Sequence, residues 1–357
     1  MWNQQRYEDA VKLLKELIAT PSFSREEDAT AAILVRFLEE HGVKPERHLN
    51  NVWALNKHFS PGKPSILLNS HHDTVKPNPQ YTRDPFAPVV EDGKLFGLGS
   101  NDAGGCLVSL IAAFLHFYDA ENLPYNIVFA ASAEEEISGV NGIESILAKL
   151  PPVDFAIVGE PTKTDLAVAE KGLMVLDCVA HGKAGHAARE EGENALYKAM
   201  DDINWFRTYR FPKVSDTLGP VKMSVTVIQT SNKAHNVVPA ECSFVVDVRA
   251  TDQYSLEEML EIIRANVKCD VTPRSMRMRP SFIPKEHALV QAGLGLGKQL
   301  YGSPTTSDQA LIPATSVKVG PGDSARSHTA DEFIYLDEIR QGIDTYIRLL
   351  SVVNGVN

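Results

Sequence analysis

Residues 65–75, Ser65-Ile66-Leu67-Leu68-Asn69-Ser70-His71-His72-Asp73-Thr74-Val75, constrain the fold of this chain more than any other stretch. The apolar run at its start lies between Pro64 and Pro77, is too short for a helix, and reads as a buried strand. Polar side chains with ligand chemistry begin where the apolar run stops. In an extended backbone, side chains two apart share a face, so His71 and Asp73 point one way and His72 the other. A histidine with a carboxylate beside it suits a metal ligand and the acid that orients its ring.

The same pattern recurs along the chain. Tyr125 to Ala131 is strand-like and leads into Glu134-Glu135-Glu136, and Phe155 to Val158 leads into Gly159-Glu160-Pro161. In open α/β sheets the ligand site lies at the carboxyl ends of the strands. Three adjacent carboxylates repel one another unless a cation or a proton relieves them. Between these strands, Phe96-Gly97-Leu98-Gly99-Ser100-Asn101-Asp102-Ala103-Gly104-Gly105 precedes a helix carrying Val108, Ile111, Leu115 and Tyr118 on one face. That loop lacks the endings of phosphate- and dinucleotide-binding loops, and Asp102 would repel a phosphate. An acid on a tight turn suits a metal ligand. A strand at Ser316 to Val319 opens into Gly320–Glu332, which supplies His328.

At 357 residues the chain exceeds the usual size of one core, so two domains are expected. A net charge of -11 argues against nucleic acid as a partner. Cys106, Cys178, Cys242 and Cys269 form no CxxC pair, so no disulfide framework or thiolate zinc site is indicated. No run reaches membrane-spanning length and the N-terminus lacks a signal-peptide core, which gives a cytoplasmic location and no membrane partner as the expectation. Tyr7, Val11, Leu14 and Ile18 mark a first helix; Ser24-x-x-Glu27 reads as a capping box for a second, with Ala31, Leu34, Val35 and Leu38 as its stripe.

From Gly172 the pattern changes to β-α-β-β-α-β, the ferredoxin-like split unit. Its pieces are strands at Gly172 to Ala180, Val221 to Val227 (half-buried by alternation), Ser243 to Ala250 and about Val267 to Arg279. Its helices start near Asn194 and at the Ser255-x-x-Glu258 capping box. A helix to Tyr301 and a closing helix from Asp337 complete the chain. The expected fold is α/β: a mostly parallel-sheet catalytic domain with helices on both faces (residues 1–171 and 286–357), plus an inserted ferredoxin-like α+β lid and dimerisation domain (residues 172–285).

The candidate ligands are His71, Asp102, Glu136, Glu160 and His328. Two imidazoles and three carboxylates without thiolates suit a pair of divalent ions, zinc or cobalt, which polarise a carbonyl and acidify water. Glu135, next to a ligand, is placed to be the proton-transferring base.

These motifs resemble the M20 family of dinuclear metallohydrolases over nearly the whole chain, most of all its acetylornithine and acetyl-lysine deacetylases. Ser70-His71-x-Asp73-x-Val75, Gly97-x-Gly99-x-x-Asp102-x-x-Gly105, Glu134-Glu135-Glu136, Gly159-Glu160-Pro161-Thr162 and Gly320-Pro321-Gly322-Asp323-Ser324 through His328-Thr329 to Glu332 carry the likeness. The resemblance implies that Asp102 bridges two ions, one on His71 and Glu160, the other on Glu136 and His328. It makes Glu135 the general base and Asp73 an auxiliary catalytic residue. Gly185-His186-Ala187-Ala188 resembles the motif whose histidine reaches the partner subunit's site in a homodimer, and Asn236 and Arg249 resemble holders of the substrate carboxylate. His72, His116, His181 and His235 are read as structural. Ala103, Gly104 and Ser138 depart from the family's usual residues.

The activity so implied is removal of the acyl group from an N-acyl amino acid, N-acetyl-L-ornithine or N-succinyl-L-ornithine, in arginine biosynthesis. Alternatives are a succinyl-diaminopimelate desuccinylase, a dipeptidase of the same family, or a catalytically dead binding scaffold.

Overall fold

The computed structural model describes residues 3–356. The chain divides into two compact units. One comprises the residues up to Val168, Phe282–Tyr301 and Ser307 onward; the other comprises Ala169–Ser281 with Gly302–Thr306.

In the first unit Asn126–Ser132, Ser65–His71, Phe155–Val158 and Thr315–Lys318 lie side by side as four parallel strands. Antiparallel strands flank them, Asn51–Leu55 and Glu46–His48 on one side and Leu166–Glu170 on the other. Every residue of Ser65–His71 and Asn126–Ser132 is buried. Strands covered on both faces read as continuous apolar runs, which is why this stretch stood out in the sequence. Ile66 and Leu68 face a core built with the helices Gln4–Ile18, Asp28–Glu40, Gly105–Phe117 and Leu336–Asn354. Leu67 points the opposite way, into a smaller core with Trp53, Val128, Ile143, Ile146 and Ile312. Burial of such a side chain contributes about 1.5–3 kcal/mol.

The second unit holds an antiparallel sheet in the order Lys222–Gln229, Glu241–Ala250, Gly172–His181, Asp270–Pro273. Helices Ala195–Thr208 and Leu256–Asn266 follow the first and third of these strands in the chain. Numbered along the chain, the spatial order is second, third, first, fourth, which is the ferredoxin-like arrangement. Gly172–His181 and Glu241–Ala250 alternate between buried and half-buried.

Four local expectations are corrected. Lys222–Gln229 is not half-buried: it is an edge strand with a register shift between Val225 and Val227, and Val227 and Ile228 are 46% and 49% exposed. The last strand is only Asp270–Pro273. The helix expected to reach Tyr301 ends at Gly295, and Leu300–Ser303 is a strand; Gly297, at φ +76°, makes the break. The Ser255…Glu258 capping box forms with both bonds, but Ser24…Glu27 does not: the N-cap of Asp28–Glu40 is Glu27, without a side-chain cap bond.

Candidate metal centre

The centre lies at the carboxyl ends of the parallel strands. His71 is the last residue of its strand, Glu135 and Glu136 sit in a one-turn helix after Ser132, and Glu160 follows Val158 by two residues. The loop after Thr315–Lys318 returns His328. Asp102 lies in a kinked turn between Gly99, at φ 74°, and the helix Gly105–Phe117, with non-helical angles of its own.

Asp102 presents one oxygen to each histidine. Oδ1 is 3.4 Å from His71 Nε2, and Oδ2 is 3.6 Å from His328 Nε2. Glu160 Oε1 is 3.6 Å from His71 Nε2, and Glu136 Oε2 is 2.9 Å from His328 Nε2. Four donors about 2.0–2.1 Å from a tetrahedral ion stand about 3.3 Å apart, so three of these spacings suit donors converging on ions rather than on one another. His71 Nε2 is buried and makes no hydrogen bond. A buried imidazole nitrogen without a partner is costly unless something outside the protein takes it. The residues present therefore fit a pair of divalent cations. Donor atoms of His71, Asp102 and Glu136, and of His71, Glu135 and Glu160, form two tight groups.

The electrostatics agree. Burial pulls the His71 imidazole down, but Glu135, Asp102, Asp73 and Glu160 override it and leave its pKa well above the ordinary value. Burial pushes the Glu135 carboxyl well up, with Glu160, Asp308 and Glu136 adding to the rise. Glu136 is raised chiefly by burial, and His328 is raised to about 9 chiefly by its bond to Glu136. Carboxylates crowded in a dry site bind protons when no cation is there.

Asp73 keeps its carboxylate beside the His71 ring and has a second contact as well. His71 Nδ1 is 3.0 Å from the backbone carbonyl of Asp73 and 3.5 Å from its carboxylate Oδ1. That carboxylate also accepts from the backbone N–H groups of Glu135, at 3.0 Å, and Glu136, at 3.2 Å. The closest hydrogen bond to the ring thus comes from the strand backbone, and Asp73 seats the acidic triplet. His72 points the other way, to Thr30 Oγ1 at 2.9 Å and the Asn50 carbonyl at 2.8 Å, as a buried structural residue.

Two carboxylates escaped notice as individual site residues. Glu332, at the end of the His328 motif, accepts from the N–H groups of Gly99, Asn101 and Asp102 at 3.1, 2.8 and 2.9 Å. Asp308 is buried and takes the Ser132 hydroxyl at 2.5 Å, Ser132 being the strand neighbour of His71. Nothing in the local sequence marks Asp308; only the fold brings it here.

His186 and Asn236 belong to the second unit. They lie on a small ribbon in which Gly185–His186 pairs with Val237–Val238, and the Ala187 N–H donates to the Asn236 carbonyl at 2.9 Å. Arg249 donates through Nε and Nη2 to Asp247, at 2.9 and 3.1 Å, and through Nη1 to Thr306 at 3.3 Å.

The sequence pattern of peptidase family M20/M25/M40 matches residues 67–352. Succinyl-diaminopimelate desuccinylases of Acidiphilium cryptum and Parvibaculum lavamentivorans are 27% and 25% identical to this chain. The first alignment covers 97% of this chain and 98% of the relative; the second covers 96% and 95%. Among solved structures, an aminopeptidase from Bacillus cereus superposes with a TM-score of 0.78 at 17% identity, covering 97% of this chain and 98% of that one. A dinuclear metal-binding peptidase of the M20 family from Bacillus subtilis gives 0.76 at 17%, covering 99% and 100%. The converging histidines and carboxylates sit inside a family match that spans most of the chain, and this protein belongs to peptidase family M20/M25/M40.

Proposed function

We propose that the protein hydrolyses the linear amide of an N-acyl amino acid, with N-succinyl-diaminopimelate as the first substrate to test and N-acetyl- or N-succinyl-ornithine next. The observation that carries the reaction class is Asp102, with an oxygen turned to each of two histidines and Glu135 beside the first of them, His71. The order of substrates follows the relatives: those aligned along nearly their whole length are named for desuccinylation of diaminopimelate, which displaces acetylornithine and an arginine-biosynthesis setting from first place.

In this reading His71, Asp102 and Glu160 would hold one zinc ion, and Asp102, Glu136 and His328 would hold the other. When bound, the pair supplies Lewis acidity toward the acyl carbonyl and lowers the pKa of water. Glu135 takes the proton from the attacking water and returns it to the departing amine. Its oxygen is 3.9 Å from His71 Nε2, which puts it beside the proposed ligands. Asp73 holds the backbone of Glu135 and Glu136 in place.

Arg249 anchors a substrate carboxylate with Asn236 nearby in the chain. Burial lowers the pKa of Lys171, and Lys222 and Arg249 lower it further, so these cations lie near one another, with Asp247 paired to Arg249. The exposed Val227 and Ile228 on the edge strand, with Tyr197 and Met200 on the helix Ala195–Thr208, support a homodimer in which His186 serves the partner's site.

The test is a panel of succinyl-diaminopimelate, acetylornithine, succinylornithine, acetyl-lysine and a dipeptide, assayed with and without added zinc. Metal-dependent release of the free amine from an acylated amino acid is expected. Cleavage of the dipeptide alone would make the protein a dipeptidase. No turnover together with near-zero metal uptake would make it a binding scaffold.

A further inference from the structure

We propose that Ser24 and Glu27 are positioning residues that clamp the backbone of the acidic triplet Glu134-Glu135-Glu136. The inference rests on the roles given above to Glu135 and Glu136.

Glu134 has left-handed angles, φ 54° and ψ 21°, and Glu135–Ile137 forms a single right-handed turn. A left-handed residue followed by right-handed ones turns successive N–H groups to one side, a concavity that binds anions. The side chains here are acidic, but the backbone presents donors, and two buried carboxylates fill them. Glu27 Oε1 accepts from Glu134 N–H at 3.2 Å, and Asp73 accepts from Glu135 and Glu136. Asp73 Oδ2 is itself fixed by the Ser24 hydroxyl, which donates at 2.7 Å. Glu27 is fully buried, and its carboxylate also accepts from Arg25 N–H at 2.6 Å and Asn50 Nδ2 at 2.8 Å.

This arrangement is bought at the expense of the helix. Ser24 and Glu27 have the spacing of a capping box, yet neither side chain caps Asp28–Glu40. The segment is tied down at Thr74 as well, whose N–H donates to the Ser22 carbonyl at 2.9 Å. The stretch around Ser22–Glu27 thus runs from the end of the His71 strand to the triplet. Its hydrogen bonds set the direction in which the Glu135 and Glu136 side chains leave the backbone.

Glu27→Gln is the informative substitution. An amide at this position must turn its NH2 either to the Arg25 and Glu134 N–H groups or to the Asn50 nitrogen. Asn50 cannot reverse freely, because its oxygen already accepts from Arg47 at 3.0 Å. Two readouts need no substrate: amide hydrogen exchange across residues 133–138, and stepwise zinc affinity by chelator competition, with Glu136→Gln identifying the step that belongs to that ligand. Expected for Glu27→Gln is roughly tenfold faster exchange at the triplet and roughly tenfold weaker binding at the Glu136 step alone, with exchange in Ser65–His71 unchanged. Ser24→Ala should move both readouts the same way by a smaller factor, and it carries the test alone if Glu27→Gln fails to fold. Wild-type exchange and affinity in the folded variants would overturn the proposal. So would equal weakening of both metal steps with faster exchange throughout the sheet, which marks general loosening. A wild-type protein that cleaves no acyl amino acid would sink the proposed reaction and leave these readouts to judge the clamp.

Discussion

The Glu332 carboxylate accepts a hydrogen bond from the backbone N–H of Asp102 at 2.9 Å, across 230 residues of chain. The same carboxylate holds the N–H groups of Gly99 and Asn101, so the turn that presents Asp102 is organised around one buried acid. Glu332→Ala leaves three buried donors without an acceptor, at about 1–3 kcal/mol each. A loss of at least about 3 kcal/mol is expected in urea denaturation of chelated protein, with reduced zinc stoichiometry. An unchanged midpoint would show that water replaces the carboxylate without cost.

Metal-free protein should lose stability as pH rises from about 5 to 9. Burial pushes Asp308 up to about 6, burial and Asp102 push Glu332 up to about 8, and the bond to Glu136 raises His328 to about 9. Each group binds its proton more tightly in the folded chain than in the unfolded one, so its contribution is complete at low pH and disappears as pH passes the folded value. Asp73 and Asp102 are lowered despite burial, chiefly by His71, and their contributions are lost only at pH below the ordinary carboxylate range. Saturating zinc should flatten the profile, because it takes the proton's place on His328 and its positive charge favours the ionised form of the nearby carboxylates. Thermal melts from pH 5 to 9 with chelator and with zinc decide it; a midpoint rising with pH in chelator would contradict the assignment.

Glu135→Gln should retain both ions and lose turnover by on the order of a hundredfold or more, since an amide cannot accept the proton. Glu136→Gln should weaken one ion. Metal analysis beside steady-state kinetics separates the two. Metal lost from the first variant and kept by the second would exchange their roles.

Arg249→Ala should raise KM for a substrate with a free α-carboxylate far more than for its methyl ester, because the variant removes a charge-assisted pair that the ester cannot form. Arg249 is also bonded to Asp247 and Thr306. Equal losses on acid and ester would leave it with that structural role only.

His186 belongs to the second unit and every proposed ligand to the first, so complementation tests the homodimer. Mixing Glu135→Ala with His186→Ala protein under subunit exchange makes about half the dimers mixed, each with one intact site, and should restore about a quarter of wild-type activity. Exchange seen by native mass spectrometry without recovery would place His186 in its own subunit's chemistry or outside the reaction.

Local rules were enough to read much of this protein from its sequence. A short apolar run between prolines is a buried strand wherever it occurs, and histidine or acid at its end falls at the ligand edge of a parallel sheet. That reasoning reached His71, Glu135, Glu136 and Glu160, and alternation with turn spacing reached the ferredoxin-like unit. The tight turn before a helix and the loop after a later strand pointed to Asp102 and His328, and motif likeness implied how these residues share two ions. Hydrogen bonds between residues far apart in the chain were decided only by the tertiary structure. Ser24 and Glu27 have capping-box spacing, but the fold brings Asp73 and the triplet N–H groups within reach, and a buried unpaired donor costs more than an uncapped helix end exposed to water. The carboxylate of Asp73 holds the triplet N–H groups as well as lying near His71, and spacing along one strand cannot express the first of these contacts. Asp308 carries no local signal, because its role lies in reaching Ser132, 176 residues earlier, and that proximity exists only in the folded chain.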